Sequence, residues 1–96
     1  MLTTKERSKL RSMATTIKAS VHIGKNELND NILKEIETAL FHNELVKVNV
    51  LKSCTISSKE LLAQTAEALL AEPVCSIGNK FVLYKFTDKK DFEHIL

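Results

Sequence analysis

The sequence predicts a two-layer α/β (α+β) domain: a four-stranded mixed sheet with helices on one face, in the order α-β-α-β-α-β-β. Three observations carry this. Apolar residues recur at helical spacing in three segments, and β-rich runs lie between and after them. A short glycine-containing connection joins the last two runs, the mark of an antiparallel hairpin. Strand–helix–strand succession before it favours right-handed crossovers and parallel neighbours.

Residues 3–14 form the first helix, with Leu10, Met13, Ala14 and Ile17 on the i, i+3, i+4, i+7 template. Thr3 or Thr4 caps its start. At about 100° per residue, Lys5 and Lys9 fall on one flank of the apolar stripe. Arg7, Arg11 and Lys18 share the other flank, provided the helix extends that far. Ser20–Ile23 is a short strand ended by Gly24, and residues 24–30 are turn-rich. Asn29 caps a second helix over residues 30–42, which presents Ile32, Leu33, Ile36, Ala39 and Leu40.

In the next strand Val46, Val48 and Val50 alternate with Lys47 and Asn49, so one face is wet. Ser57 or Ser58 caps a third helix, about 58–71, with Leu61, Leu62, Ala66, Leu69 and Leu70 inward; Pro73 stops it. Val74–Ile77 and Phe81–Phe86 make the hairpin around Gly78-Asn79-Lys80. Residues 1–87 thus form one domain, and 88–96 a weakly ordered tail.

With 96 residues, 44% of them apolar and 27% charged, the chain is one folded domain rather than a disordered segment. A chain this short buries only about 60–65% of its unfolded surface, too little for a large cofactor enzyme. It lacks any run of about 18 apolar residues, and its start, MLTTKERSKLR, has no apolar signal core. The expectation is a cytoplasmic monomer without membrane contact. Cys54 and Cys75 form no CxxC pair, and His22, His42 and His94 are scattered. Neither a disulfide scaffold nor a metal site is expected.

Charge is unevenly spread. Residues 1–25 carry six cations against Glu6 alone, a net +5, while residues 26–96 carry eight cations and eleven anions, a net −3. Lys80, Lys85, Lys89 and Lys90 add a second basic cluster near the end. Such asymmetry fits either a patch facing a polyanion or an ordinary solvated surface.

Catalytic signatures are missing. There is no GxSxG elbow, phosphate loop or GxGxxG fingerprint, and Ser57-Ser58 reads as a helix cap. The turn Gly24-Lys25-Asn26 is more informative, because it leads to a helix whose free N–H groups and dipole receive a phosphate. Lys25 would supply a mobile charge there, and Gly24 a close backbone approach. The same residues also make a plain strand-to-helix connection. Phe81, Tyr84 and Phe86 lie in an apolar strand, where core packing is favoured over base stacking.

Taken together, MLTTKERSKLRSMA, VHIGKN, LNDNILKEIETAL, NELVKVNVL and SIGNKFVLYKF resemble the bacterial YhbY family over about residues 1–87. That family is the stand-alone form of the CRM domain, named for chloroplast RNA splicing and ribosome maturation. The resemblance implies an RNA-binding fold similar to the C-terminal domain of bacterial initiation factor three. It also implies association with precursors of the large ribosomal subunit, as in bacterial members; plant relatives act on intron RNA. The family's GxxG loop, similar to the KH-domain backbone clamp, maps onto Gly24, Lys25, Asn26 and position 27. Here position 27 is Glu27, a carboxylate where the family has glycine. Lys85 stands where relatives often carry Arg, which keeps the charge and loses the bidentate geometry.

The expected function is therefore a non-catalytic RNA-binding protein on large-subunit precursor rRNA in a ribosomal particle, using phosphate and shape recognition. Lys5, Arg7, Lys9, Arg11, Lys18, Gly24, Lys25, Asn26, Lys80 and Lys85 are the expected contacts, with no cofactor. The alternative is a protein-interaction module that docks through the wet sheet face around Lys47 and Asn49.

Overall fold

The computed structural model describes residues 2–25, 28–88 and 94–95 and shows the seven elements in the predicted order. They are α1 (Thr4–Ala14), β1 (Val21–Ile23), α2 (Asp30–Asn43), β2 (Leu45–Val50), α3 (Ser58–Leu69), β3 (Glu72–Ile77) and β4 (Lys80–Tyr84). Each helix starts at a predicted cap. Thr3 forms a reciprocal box with Glu6, Asn29 accepts from the Ile32 N–H, and Ser57 accepts from the Glu60 N–H.

The four strands form one sheet in the order β1-β2-β4-β3. β1 and β2 are parallel, and β4 is antiparallel to both its neighbours. β2 and β3 therefore run the same way with β4 inserted between them, a split crossover rather than adjacent parallel strands. β3 begins at Glu72, two residues before the predicted start, and so takes in Pro73. As an edge strand it tolerates the missing N–H. β4 ends at Tyr84, short of the predicted Phe86.

The fold class is the predicted one, but the helices do not share a face. α2 and α3 cover one side, where Ile36, Leu40, Leu61, Ala66 and Leu69 pack on Val46, Val48, Phe81 and Leu83. On the other side Leu10 and Ala14 of α1 pack with Leu45, Val74, Val82 and Tyr84. Alternation along β4 explains this: Phe81 and Leu83 face one layer, Val82 and Tyr84 the other, and all four are buried. A strand apolar on both faces needs cover on both.

α1 stops at Ala14, so Lys18 lies beyond the helix and off the Arg7–Arg11 flank. The hydroxyls of Thr15 and Thr16 donate to the Ser12 and Met13 carbonyls at 2.8 and 3.0 Å. Lys47 Nζ, from the supposedly wet face, donates to the Ala14 and Ile17 carbonyls at 3.2 and 3.4 Å. A cation on the last carbonyls of a helix offsets its dipole. Lys47→Met keeps the alkyl stem and removes the donor. It should cost about 1 kcal/mol, read from the midpoint of urea unfolding.

The end of the chain is not a loose tail at its described residues. Glu44, fully buried at φ 63°, turns α2 into β2. Its carboxylate accepts from the Thr87 N–H at 2.8 Å and the Ile95 N–H at 3.2 Å, and lies 2.7 Å from His94 Nδ1. Thr87 Oγ1 donates to the Phe41 carbonyl at 2.7 Å. Phe86, expected in the strand, is instead 63% exposed and stacks on the His94 ring at 4.3 Å. Among the described residues, no helix is long and apolar enough to cross a membrane.

Candidate nucleic-acid interface

One end of the sheet gathers three connections. Because β1 and β2 are parallel, their C-terminal ends leave the sheet side by side, and the Leu51 N–H donates to the Ile23 carbonyl at 2.7 Å. The β3–β4 turn joins them there. The Val50 N–H donates to the Asn79 carbonyl at 2.7 Å, and Ser58 Oγ at the start of α3 donates to the Gly78 carbonyl at 2.8 Å. Gly78 sits at φ 59°, a turn conformation that glycine adopts without strain. Gly24 contributes differently: a Cβ there would lie a tight 3.2 Å from both Leu51 Cδ1 and Ser53 Oγ. Glycine lets the loop after β1 press against the loop after β2.

This end carries exposed cations from separate elements: Lys25 after β1, Lys52 after β2 and Lys80 at the start of β4. A groove of about 290 Å³ continues from it between α1 and the sheet, lined by Arg11, Thr15, Lys47, Cys75, Ile77 and Lys80. Burial pushes the Cys75 thiol up, and the nearby Arg11 and Lys47 charges oppose that shift. The groove is thus lined by three cations, Arg11, Lys47 and Lys80.

The opposite end has the reverse character. Lys85 is half-buried there, its N–H on the Glu44 carbonyl at 2.9 Å. It borders two larger hollows, of about 550 and 600 Å³, whose walls include Glu37 and Asp88 in one and Glu6 and Glu72 in the other. Burial, Glu44 and Glu6 all push the Tyr84 hydroxyl up. Size favours these hollows, but their carboxylates repel a phosphate; charge decides for the smaller groove.

The expected contact residues thus divide. Arg11 and Lys80 line one groove, Gly24 and Lys25 follow β1 at the end of the sheet from which that groove continues, and Arg7 is exposed one turn back along α1. Lys5 and Lys9 are exposed on the other flank of α1, and Lys18 in the connection to β1. Lys85 is at the far end. Asn26 and Glu27, with Lys89 and Lys90, lie outside the described residues. Sequence reasoning did not single out Lys52, and it placed Lys47 on a wet face where the structure has it half-buried and bonded to the end of α1. The signal for Lys52 was present, since parallel neighbours deliver their C-terminal loops to one end of a sheet.

Known proteins match this chain over nearly its whole length. The family described as CRS1 / YhbY (CRM) domain matches residues 2–85. The chain is 38% identical over 85 residues to the Bacillus subtilis protein named "Probable RNA-binding protein YqeI", covering 88% of each. It is 33% identical over 84 residues to a Haemophilus influenzae protein named "RNA-binding protein", covering 88% of this chain and 85% of that one. The solution structure of SAV1595 from Staphylococcus aureus superposes with a TM-score of 0.80 at 37% identity, over 95% of both chains.

Proposed function

The chain belongs to the CRS1 / YhbY (CRM) domain family, and from that membership we propose that it is a non-catalytic RNA-binding protein acting in assembly of the large ribosomal subunit. The observation that carries the reading is the placement of the exposed Lys25, Lys52 and Lys80 at one end of the sheet, with Arg11 and Lys80 lining the groove that continues from it. Cations spaced along a groove match the repeated phosphates of an RNA strand, whereas small ligands need an enclosed, largely apolar pocket. Precursor rRNA in a ribosomal particle is the proposed target, reached in the cytoplasm by a monomer. Lys47 is engaged with α1, which weakens the protein-docking alternative for that face.

Gradient fractionation of lysate with and without RNase, followed by RNA crosslinking, tests this. Co-migration with large-subunit precursors, abolished by nuclease, is expected; residence at the top of a gentle gradient would remove the assembly role. On purified single-stranded RNA, four to six phosphate contacts should give a log–log salt slope of about −3 to −4. Position matters as well as charge. Lys80→Ala should weaken binding about fivefold at roughly 0.1 M salt, the equivalent of one phosphate, and Lys85→Ala less than about twofold. Equal effects would return Lys85 to the interface.

A further inference from the structure

Beside the cations lies a polar row with no electrostatic role. The pairing register sets His22 opposite Asn49 and Asn49 opposite Lys80, across three strands on the sheet face that carries α1. Strand alternation turns their neighbours Val21, Ile23, Val48 and Val50 into the core on the other side. His22 and Lys80 remain exposed and Asn49 half-buried. Asn49 Nδ2 lies 3.2 Å from His22 Nδ1, while Asn79 Nδ2 donates to Asn49 Oδ1 at 3.0 Å and to the Val50 carbonyl at 3.2 Å.

This network fixes which polar atoms are left over. An amide nitrogen only donates, so His22 Nδ1 accepts and its proton sits on Nε2. Both hydrogens of Asn79 Nδ2 are used, so Asn79 Oδ1 remains as an acceptor. Among the described residues, His22 Nε2, the second Asn49 N–H and Asn79 Oδ1 have no partner, leaving two donors and one acceptor in fixed positions. Ile77, 56% exposed and paired with Lys80, ends the same row with an apolar surface. Preorganised donors and acceptors beside phosphate-binding cations are what an unstacked nucleobase requires on its Watson–Crick or Hoogsteen edge.

We propose that the row His22–Asn49–Asn79 reads base edges of single-stranded RNA whose phosphates are held by Lys25, Lys80 and Arg11. This rests on the RNA-binding reading and adds base preference to a surface otherwise expected to recognise phosphate and shape alone. The exposed cations Lys80, opposite Asn49, and Lys25, after β1, favour RNA as the occupant over an uncharged protein strand.

The test is fluorescence anisotropy of labelled A, C and U octamers on the full chain at two salt concentrations. The wild type should bind one base at least about fivefold more tightly than the weakest. In His22→Ala and Asn49→Ala that ratio should fall to within about twofold, with the salt slope unchanged. Equal wild-type affinities with a normal slope would overturn base reading and leave RNA binding intact. A preference surviving both substitutions would equally overturn it. Salt-insensitive or absent binding would bring down the RNA reading itself. The wild-type comparison needs no variant to fold, and circular dichroism checks the two that are used.

Discussion

The triple substitution Arg11→Ala, Lys25→Ala, Lys80→Ala should weaken binding to single-stranded RNA about 100-fold at roughly 0.1 M salt and flatten the log–log salt slope by about 2. The three side chains come from α1, the β1–α2 loop and β4; Arg11 and Lys80 line one groove, and Lys25 is exposed at the end of the sheet from which that groove continues. Each phosphate neutralised on a single strand contributes about 0.7 to the slope through released counterions, so three lost contacts give about 2. The affinity difference should shrink as salt rises and nearly vanish towards about 1 M, because counterion release no longer favours either protein. All three residues are on the surface, so thermal stability should change little. Anisotropy titrations across four salt concentrations provide the slope. An unchanged slope in a folded triple variant would place the RNA elsewhere.

Glu44→Ala should destabilise the domain by about 3 kcal/mol, a fall of about 15 °C in Tm for a domain of this size. Its buried carboxylate gathers the Thr87 and Ile95 N–H groups and His94, and alanine would remove that shared acceptor. Burial alone would raise the Glu44 carboxyl, but hydrogen bonds from Thr87, His94 and Ile95, with the His94 charge, outweigh it and hold the group below its ordinary 4.5. A depressed folded-state value stabilises the fold only while the carboxylate is ionised. The contribution is therefore complete above the ordinary 4.5 and lost as pH falls through the lower folded-state value. Thermal melts from pH 7 to pH 3 should show that decline in the wild type, and Glu44→Gln should lack it. A parallel decline in both proteins would assign the acid sensitivity to other groups.

Local chemistry was legible in the sequence wherever it is decided locally. Thr3, Asn29 and Ser57 cap helices because a side-chain oxygen reaches an N–H three residues on, whatever the rest of the fold does. The alternation of Val46, Val48 and Val50 likewise depends only on strand geometry. The side on which α1 docks was less visible, because a helical stripe shows that a face is buried and not against what. Its trace was the apolar residue at every position from Phe81 to Tyr84.

The site was harder to read because it depends on register. Lys80 and Lys85 look like one basic cluster, yet five residues of extended chain set them about 16 Å apart, at opposite ends of β4. Asn49, His22 and Asn79 are separated by 27 and 30 positions in the chain, and only strand pairing makes them a row. Glu44 carries no motif that points to Thr87 and Ile95, 43 and 51 residues later.

The two hydrophobic clusters on opposite faces of the sheet imply two cooperative units of unequal strength. The larger unit, β1 through β4 with α2 and α3, closes its own core, which among the described residues includes none before Val21. α1 is held to the remaining face by Leu10, Ala14 and their partners and by one lysine at its end. The helix can therefore open as a subglobal event, its amides exchanging with solvent while the sheet stays protected. A ligand spanning Arg11 on the helix and Lys80 on the sheet bridges both units, so its binding energy suppresses that opening by mass action. Occupancy would then be written in the exchange rates of α1.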